Sequence, residues 1–148
     1  MNRIIIVLLL IVNWGSVSSQ SLSDSEKTAM ANYAKRVYKK EKADGCRIVT
    51  SGKTNVLLTT ITVKESSVMQ RVAEVKALRA AGEFLQGANT ESISTIVIDA
   101  VNDSISEIQR DFIKVSSFTK IKKMELLGSE KDNGQVSFFF YKELENGK

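Results

Sequence analysis

A single cysteine, Cys46, stands in a chain of 148 residues, so no disulfide within the chain can hold the fold. Whatever forms must be held by an apolar core. Cys46 itself is expected as a small buried apolar residue at a strand start, where free cysteines usually lie. A reactive thiol or a disulfide to another chain are the alternatives. The chain also lacks histidine and proline. Without histidine it loses the commonest metal ligand and the commonest neutral-pH base, and with them Ser-His-Asp and Cys-His catalysis. Without proline it has no Pro-rich linker and no polyproline recognition segment. One compact domain is the economical expectation, with no enzymatic activity, no catalytic residue, no cofactor and no bound metal.

The first residues set the expected compartment. Arg3 is followed by an uninterrupted apolar run over residues 4–12 and then by the small residues Ser16, Val17, Ser18 and Ser19. A basic start, a short apolar stretch and a small-residue exit describe a secretory signal peptide. The run is too short to span a bilayer, which takes about 20 residues. Val17 and Ser19 suit the −3 and −1 positions of a cut before Gln20. The expectation is a signal peptide over residues 1–19 and one domain over 20–148, periplasmic or secreted, with no transmembrane anchor after cleavage.

Removing 19 residues from 148 leaves 129, enough for one domain with a modest core. The leader holds one basic residue and no acid, so 21 basic and 17 acidic side chains become 20 and 17, a net charge of +3. That aids solubility but is no nucleic-acid footprint. No lipid can be attached at the cut site, because no cysteine stands there.

The rest of the chain alternates helical and strand periodicities. Ser23-Asp24-Ser25-Glu26 reads as a capping box, with Ser23 as N-cap. Behind it Met30, Tyr33, Ala34, Val37 and Tyr38 form an apolar face, while Lys35, Arg36, Lys39, Lys40 and Lys42 lie mainly opposite. Such a charge run is read as a solvated face, with binding of anionic headgroups or polymers as the rival. Asp44-Gly45 is the expected stop, with Gly45 left-handed. Residues 47–50 and 54–64 read as a hairpin joined by Ser51-Gly52-Lys53, in which Leu57, Thr59, Ile61 and Val63 face a core. On the other face only Val56 and Leu58, near the turn, are expected to be covered.

Residues 68–86 carry the strongest helical pattern: Ala73, Ala77, Ala80, Ala81 and Phe84 share a side, with Leu78 and Leu85 extending it. Lys76, Arg79, Glu83 and Gln86 fall opposite, and Gly87 is the expected end. Small residues along the middle of a face let a helix lie close on a sheet. Residues 92–99 read as a third strand; 103–115 read as a helix through Val101, Ile105, Ile108, Phe112 and Val115, while Ile113, Val115 and Ser117 could alternate as a strand. A closing hairpin runs from Ile121 to Leu127, loops over 128–134 with its turn at Asn133-Gly134, and returns over 136–144. The aromatics Phe138 to Tyr141 lie on both faces of that last strand, which predicts a central strand covered on both sides.

Four features suggest chemistry that a plainer reading outweighs. Gly52-Lys53-Thr54 suggests a phosphate loop, but Arg47 stands where the first glycine is needed and a strand follows instead of a helix. Asp99, Asp103, Glu107 and Asp111, with Arg110 nearby, would permit carboxylate hydrolysis only if two of them met across a cleft; a solvated acidic face is the plainer reading. Glu74 is expected as a border carboxylate, paired with Arg71 or solvated. Asn102-Asp103-Ser104 is a glycosylation sequon only in a eukaryotic source.

The stretch Arg71 to Glu91 runs an Ala-rich helix into Leu85-Gln86-Gly87 and then towards a Ser/Thr-rich strand. It resembles the twenty-kilodalton membrane-associated lipoproteins of bacterial envelopes and the N-terminal domain of the flagellar T-type collar protein. The likeness extends over residues 53–143, without the lipid-attachment cysteine of those lipoproteins. It implies an α+β domain used for assembly or binding. The expected fold is therefore α+β: an Ala-rich helix packed on an antiparallel sheet of four to six strands, with an additional N-terminal helix. The expected role is an exported, non-catalytic binding or assembly module with a protein partner in the envelope and no nucleic acid. A secreted cystatin-like inhibitor or small ligand carrier is the alternative, although residues 48–52 only loosely echo an inhibitory loop.

Overall fold

The computed structural model describes residues 21–88, 93–99, 104–110 and 121–144. Two helices and six strands follow in the order α1 (Asp24–Glu41), β1 (Gly45–Ser51), β2 (Thr54–Lys64), α2 (Met69–Ala88), β3 (Ile93–Asp99), β4 (Ser104–Arg110), β5 (Glu125–Asp132) and β6 (Gln135–Leu144). The sheet order is β4-β3-β1-β2-β6-β5. β1, β2, β6 and β5 pair antiparallel, and the antiparallel β3–β4 hairpin extends this sheet beyond β1, with β3 parallel to β1. The fold class is α+β, as the residue pattern predicts.

β2 shows how the sequence sets the layers. Asn55, Leu57, Thr59, Ile61 and Val63 are all buried, whereas on the alternate face Val56 and Leu58 are buried and Thr60 and Thr62 only partly so. One face is covered along its whole length and the other near the turn. The longer cover is α2, whose Ala73, Ala77 and Ala81 pack with Ile48, Leu57, Ile61, Phe138 and Phe140. The shorter is α1, whose Met30, Tyr33, Ala34 and Tyr38 pack with Val49, Val56, Leu58, Phe139 and Tyr141. The two helices thus enclose the sheet from opposite sides. β6 lies between β2 and β5 and carries aromatics into both layers.

The β1–β2 and β5–β6 turns are each built from two residues. Asn133 and Gly134 both have positive φ (49° and 77°), the type I′ pattern that suits strand twist. In the β1–β2 turn only Gly52 does, as in type II′.

Several expectations need correction. Residues 104–110 of the expected helix form β4, paired with β3 from Ile93↔Arg110 to Asp99↔Ser104. Cross-strand pairing overrides the helical spacing of Ile105 and Ile108; the remainder of that segment lies outside the described residues. β5 starts at Glu125 and continues to Asp132, so the expected loop over 128–134 shrinks to the two-residue turn, with a register shift between Leu126 and Gly128. The left-handed residue ending α1 is Lys42 (φ 51°), whose N–H donates to the Tyr38 carbonyl, while Gly45 already begins β1.

Buried polar groups are satisfied in pairs. The Thr50 hydroxyl donates to Asn55 Oδ1 at 2.7 Å, Thr62 and Ser137 hydroxyls meet at 2.7 Å, and Cys46 Sγ lies 3.3 Å from the Thr59 hydroxyl. Each pairing removes the penalty of an orphaned group.

Phe139 is fully buried and meets Tyr38 edge-on at 6.3 Å between ring centroids. Phe139→Ala is expected to cost about 3–5 kcal/mol in urea unfolding. Val75→Ala, at an exposed position, should stay within about 0.5 kcal/mol of the parent.

α1 is fastened at both ends. The Ser23–Glu26 capping box is complete: Ser23 N–H donates to Glu26 Oε2 at 2.8 Å, and Glu26 N–H to Ser23 Oγ at 3.3 Å. The second oxygen of Glu26 accepts from the Ser51 hydroxyl at 3.0 Å, linking the helix start to the β1–β2 turn. At the other end Lys42 meets Asp132 at 2.5 Å and Lys39 meets Glu130 at 3.5 Å, while Glu41 pairs with Arg47 of β1. Hydrogen bonding from Ser23 is the largest influence on the Glu26 carboxyl and holds its pKa below the ordinary 4.5. A carboxylate with a depressed folded pKa stabilises fully above its unfolded value and loses that contribution as pH falls through the folded one. Unfolding measured from pH 6 down to about pH 3 should therefore show a steeper decline for the parent than for Glu26→Gln. Ser23→Ala should cost about 1 kcal/mol at pH 7.

Candidate functional site

α2 is made mostly of good helix formers, and its alanines explain its position. Ala73, Ala77 and Ala81 recur every four residues and are fully buried, so the helix backbone lies close on β2. Leu78, Ala80, Phe84 and Leu85 pack at the margins of the same layer. A turn through Ser66 leads in, with Met69 N–H on the Ser66 carbonyl and Val72 N–H on the Val68 carbonyl at 3.1 Å.

The opposite side of α2 is the most unusual surface among the described residues. At about 100° per residue, Val68, Val72 and Val75 fall together, directly across from the alanines. They are 58%, 40% and 63% exposed, and with Leu126 they make up the exposed large apolar side chains among the described residues. Valine is a weak helix former because its branched Cβ restricts χ1 against the preceding turn. Val72 and Val75 within α2 therefore lower helix propensity, and with Val68, in the turn just before it, they leave apolar surface wet. Arg71 flanks the stripe on one side and Lys76 on the other, and the five residues line a shallow open depression. Farther along the same face Arg79 pairs with Glu83 at 2.9 Å. The helical wheel carries this stripe as plainly as it carries the alanines, but attention to the buried face passes over it.

No catalytic, cofactor or metal residue is expected from the sequence, and among the described residues no group of three or more His, Cys, Asp or Glu could hold a metal ion. Asp99 ends β3, and Glu107 on β4 is the register partner of Ile96. Asp103, Asp111 and the sequon asparagine Asn102 lie outside the described residues. Glu74 is half-buried and makes no ion pair with Arg71. Of the stretch that loosely suggested an inhibitory loop, residues 48–51 are buried within β1 and only Gly52, in the turn, is exposed. No helix among the described residues is long and apolar enough to cross a membrane.

The basic face of α1 divides in two. Lys39 and Lys42 belong to the fastening described above, and Lys42 also lies 5.1 Å from the Tyr38 ring centroid. Lys27 lies 6.0 Å from the ring of Tyr141. Arg36 and Lys40 project into solvent without an apolar neighbour among the exposed side chains. Beneath α1, burial first and then the hydrogen-bonded Glu125 carboxylate, 2.7 Å away, push the Tyr141 phenol well above its ordinary range. It is a structural donor held neutral.

Cys46 is half-buried on β1, packed against the α2 layer, and burial raises its thiol pKa. The thiolate is the reactive form, so this environment disfavours chemistry at the sulfur. Alkylation by iodoacetamide at pH 8 should be at least about tenfold slower in the native protein than in urea; equal rates would show an accessible thiol.

The sequence matches no known family model, and no curated protein or solved structure is significantly similar to it.

Proposed function

We propose that the chain is an exported, non-catalytic binding or assembly module of the cell envelope that docks through the outward face of α2. The observation that carries this reading is the valine stripe: apolar, β-branched and solvent-exposed on a helix whose other face is fully committed to the core. Apolar surface of this kind on an otherwise polar helix face marks a contact surface. Export is supported by the leader pattern of residues 1–19, and a non-catalytic role by the absence of histidine. The inhibitor alternative has less support, because all of its one suggestive segment except Gly52 is buried in β1.

A photoreactive amino acid in place of Val75, activated in intact cells, should form adducts with envelope components. The same residue in place of Lys40, on α1, should not. Mass spectrometry of the recovered chain should give an N-terminus at Gln20. An intact Met1 on cytosolic material, or equal adducts from both positions, would overturn the proposal.

A further inference from the structure

Resting on the reading that this face of α2 is the docking surface, we infer that its partner is an anionic lipid surface. The stripe from Val68 to Val75 spans seven residue steps, about 10 Å along the helix axis at 1.5 Å per residue. A stable protein interface buries about 800 Å² on each side and is anchored by aromatic side chains. Three valines supply neither the area nor an aromatic anchor. A bilayer interface asks for less: a shallow apolar strip that sinks among the acyl boundaries, with cations beside it at the level of the phosphates.

The flanking charges have that placement. Arg71 and Lys76 stand on opposite sides of the valines and are both exposed. Neither forms an ion pair with a described residue, so both are free to meet lipid phosphates. Their long stems allow the charged heads to reach outward while the valines descend. The same charges argue against a second copy of this chain, because face-to-face apposition would bring cations against cations. α1 offers positive charge without an apolar strip, so it would add attraction at long range but no insertion.

The experiment compares two labelled forms of the full chain in a Cys46→Ser background. An environment-sensitive fluorophore is attached at Val75→Cys or at Lys40→Cys. With vesicles containing phosphatidylglycerol, emission at position 75 should shift to the blue while position 40 stays unchanged. Vesicles of phosphatidylcholine alone should give no shift, and added salt should reverse the one seen. In the Val75→Cys form, Arg71→Gln with Lys76→Gln should weaken partitioning about 25-fold, at about fivefold for each cation removed. The leader segment is present in every form, so differences between positions and variants report α2.

No shift at position 75, or equal shifts at both positions, overturns the inference. So does a concentration-dependent shift without vesicles, which marks a second copy. An emission already blue in dilute protein alone overturns it too, since the face would then be covered by the chain itself. Protein adducts from position 75 in cells, together with no response to vesicles, would leave the envelope-module reading standing and remove the lipid one.

Discussion

The structure depends on one strand being apolar on both faces. β6 sends Phe138 and Phe140 to the α2 side and Phe139 and Tyr141 to the α1 side, in consecutive positions of a period-two element. A strand of that composition is stable only between two covering layers and between two other strands. β2 and β5 supply the lateral neighbours, and the helices supply the layers. Phe138 and Phe140 stack at 6.2 Å on one side, while Phe139 meets Tyr38 edge-on on the other. In a domain without an internal disulfide, this double-sided packing does the work that cross-links do in many small secreted proteins.

The two layers are secured differently, and the difference follows from side-chain size. α2 carries alanines to the sheet, so close backbone approach and the large residues of β2 and β6 fill the space. α1 carries Met30, Tyr33 and Tyr38, stands farther from the sheet plane, and needs its ends placed. Glu26 reaches the β1–β2 turn, Leu22 N–H donates to the Glu143 carboxylate at 3.0 Å, and the basic C-terminal turn meets the acids of the β5–β6 hairpin. Exposed ion pairs contribute little stability individually. Here they set where the helix lies across the strands, with the aromatic contacts supplying the energy.

Local chemistry was legible from sequence, and long-range pairing was not. The capping box, the one-sided burial of β2, the Asn-Gly turn and the two-faced β6 each rest on residues within a few positions of one another. The residues from 104 to 110 do not. Ile105 and Ile108 satisfy a helical spacing, and only the presence of β3 alongside decides for a strand. β5 is similar: Gly128 and Ser129 read as loop until Phe139 and Phe138 are set opposite them. The candidate site failed for another reason. Its valines were visible on the helical wheel, but a search for chemistry-bearing groups gives no weight to aliphatic side chains.

That omission points to the relation between the two sides of α2. Alanine on the buried side and valine on the exposed side is the reverse of what packing volume favours in a helix lying on a sheet. The inversion makes sense if the inner face is constrained by the large residues of β2 and β6, which leave room for methyl groups only. Bulk placed on the outer face then cannot serve the core. It lowers helix propensity without filling any space inside. On the proposed reading, a residue choice that contributes nothing to the interior serves a contact made outside it, and the flanking arginine and lysine would give that contact its sign.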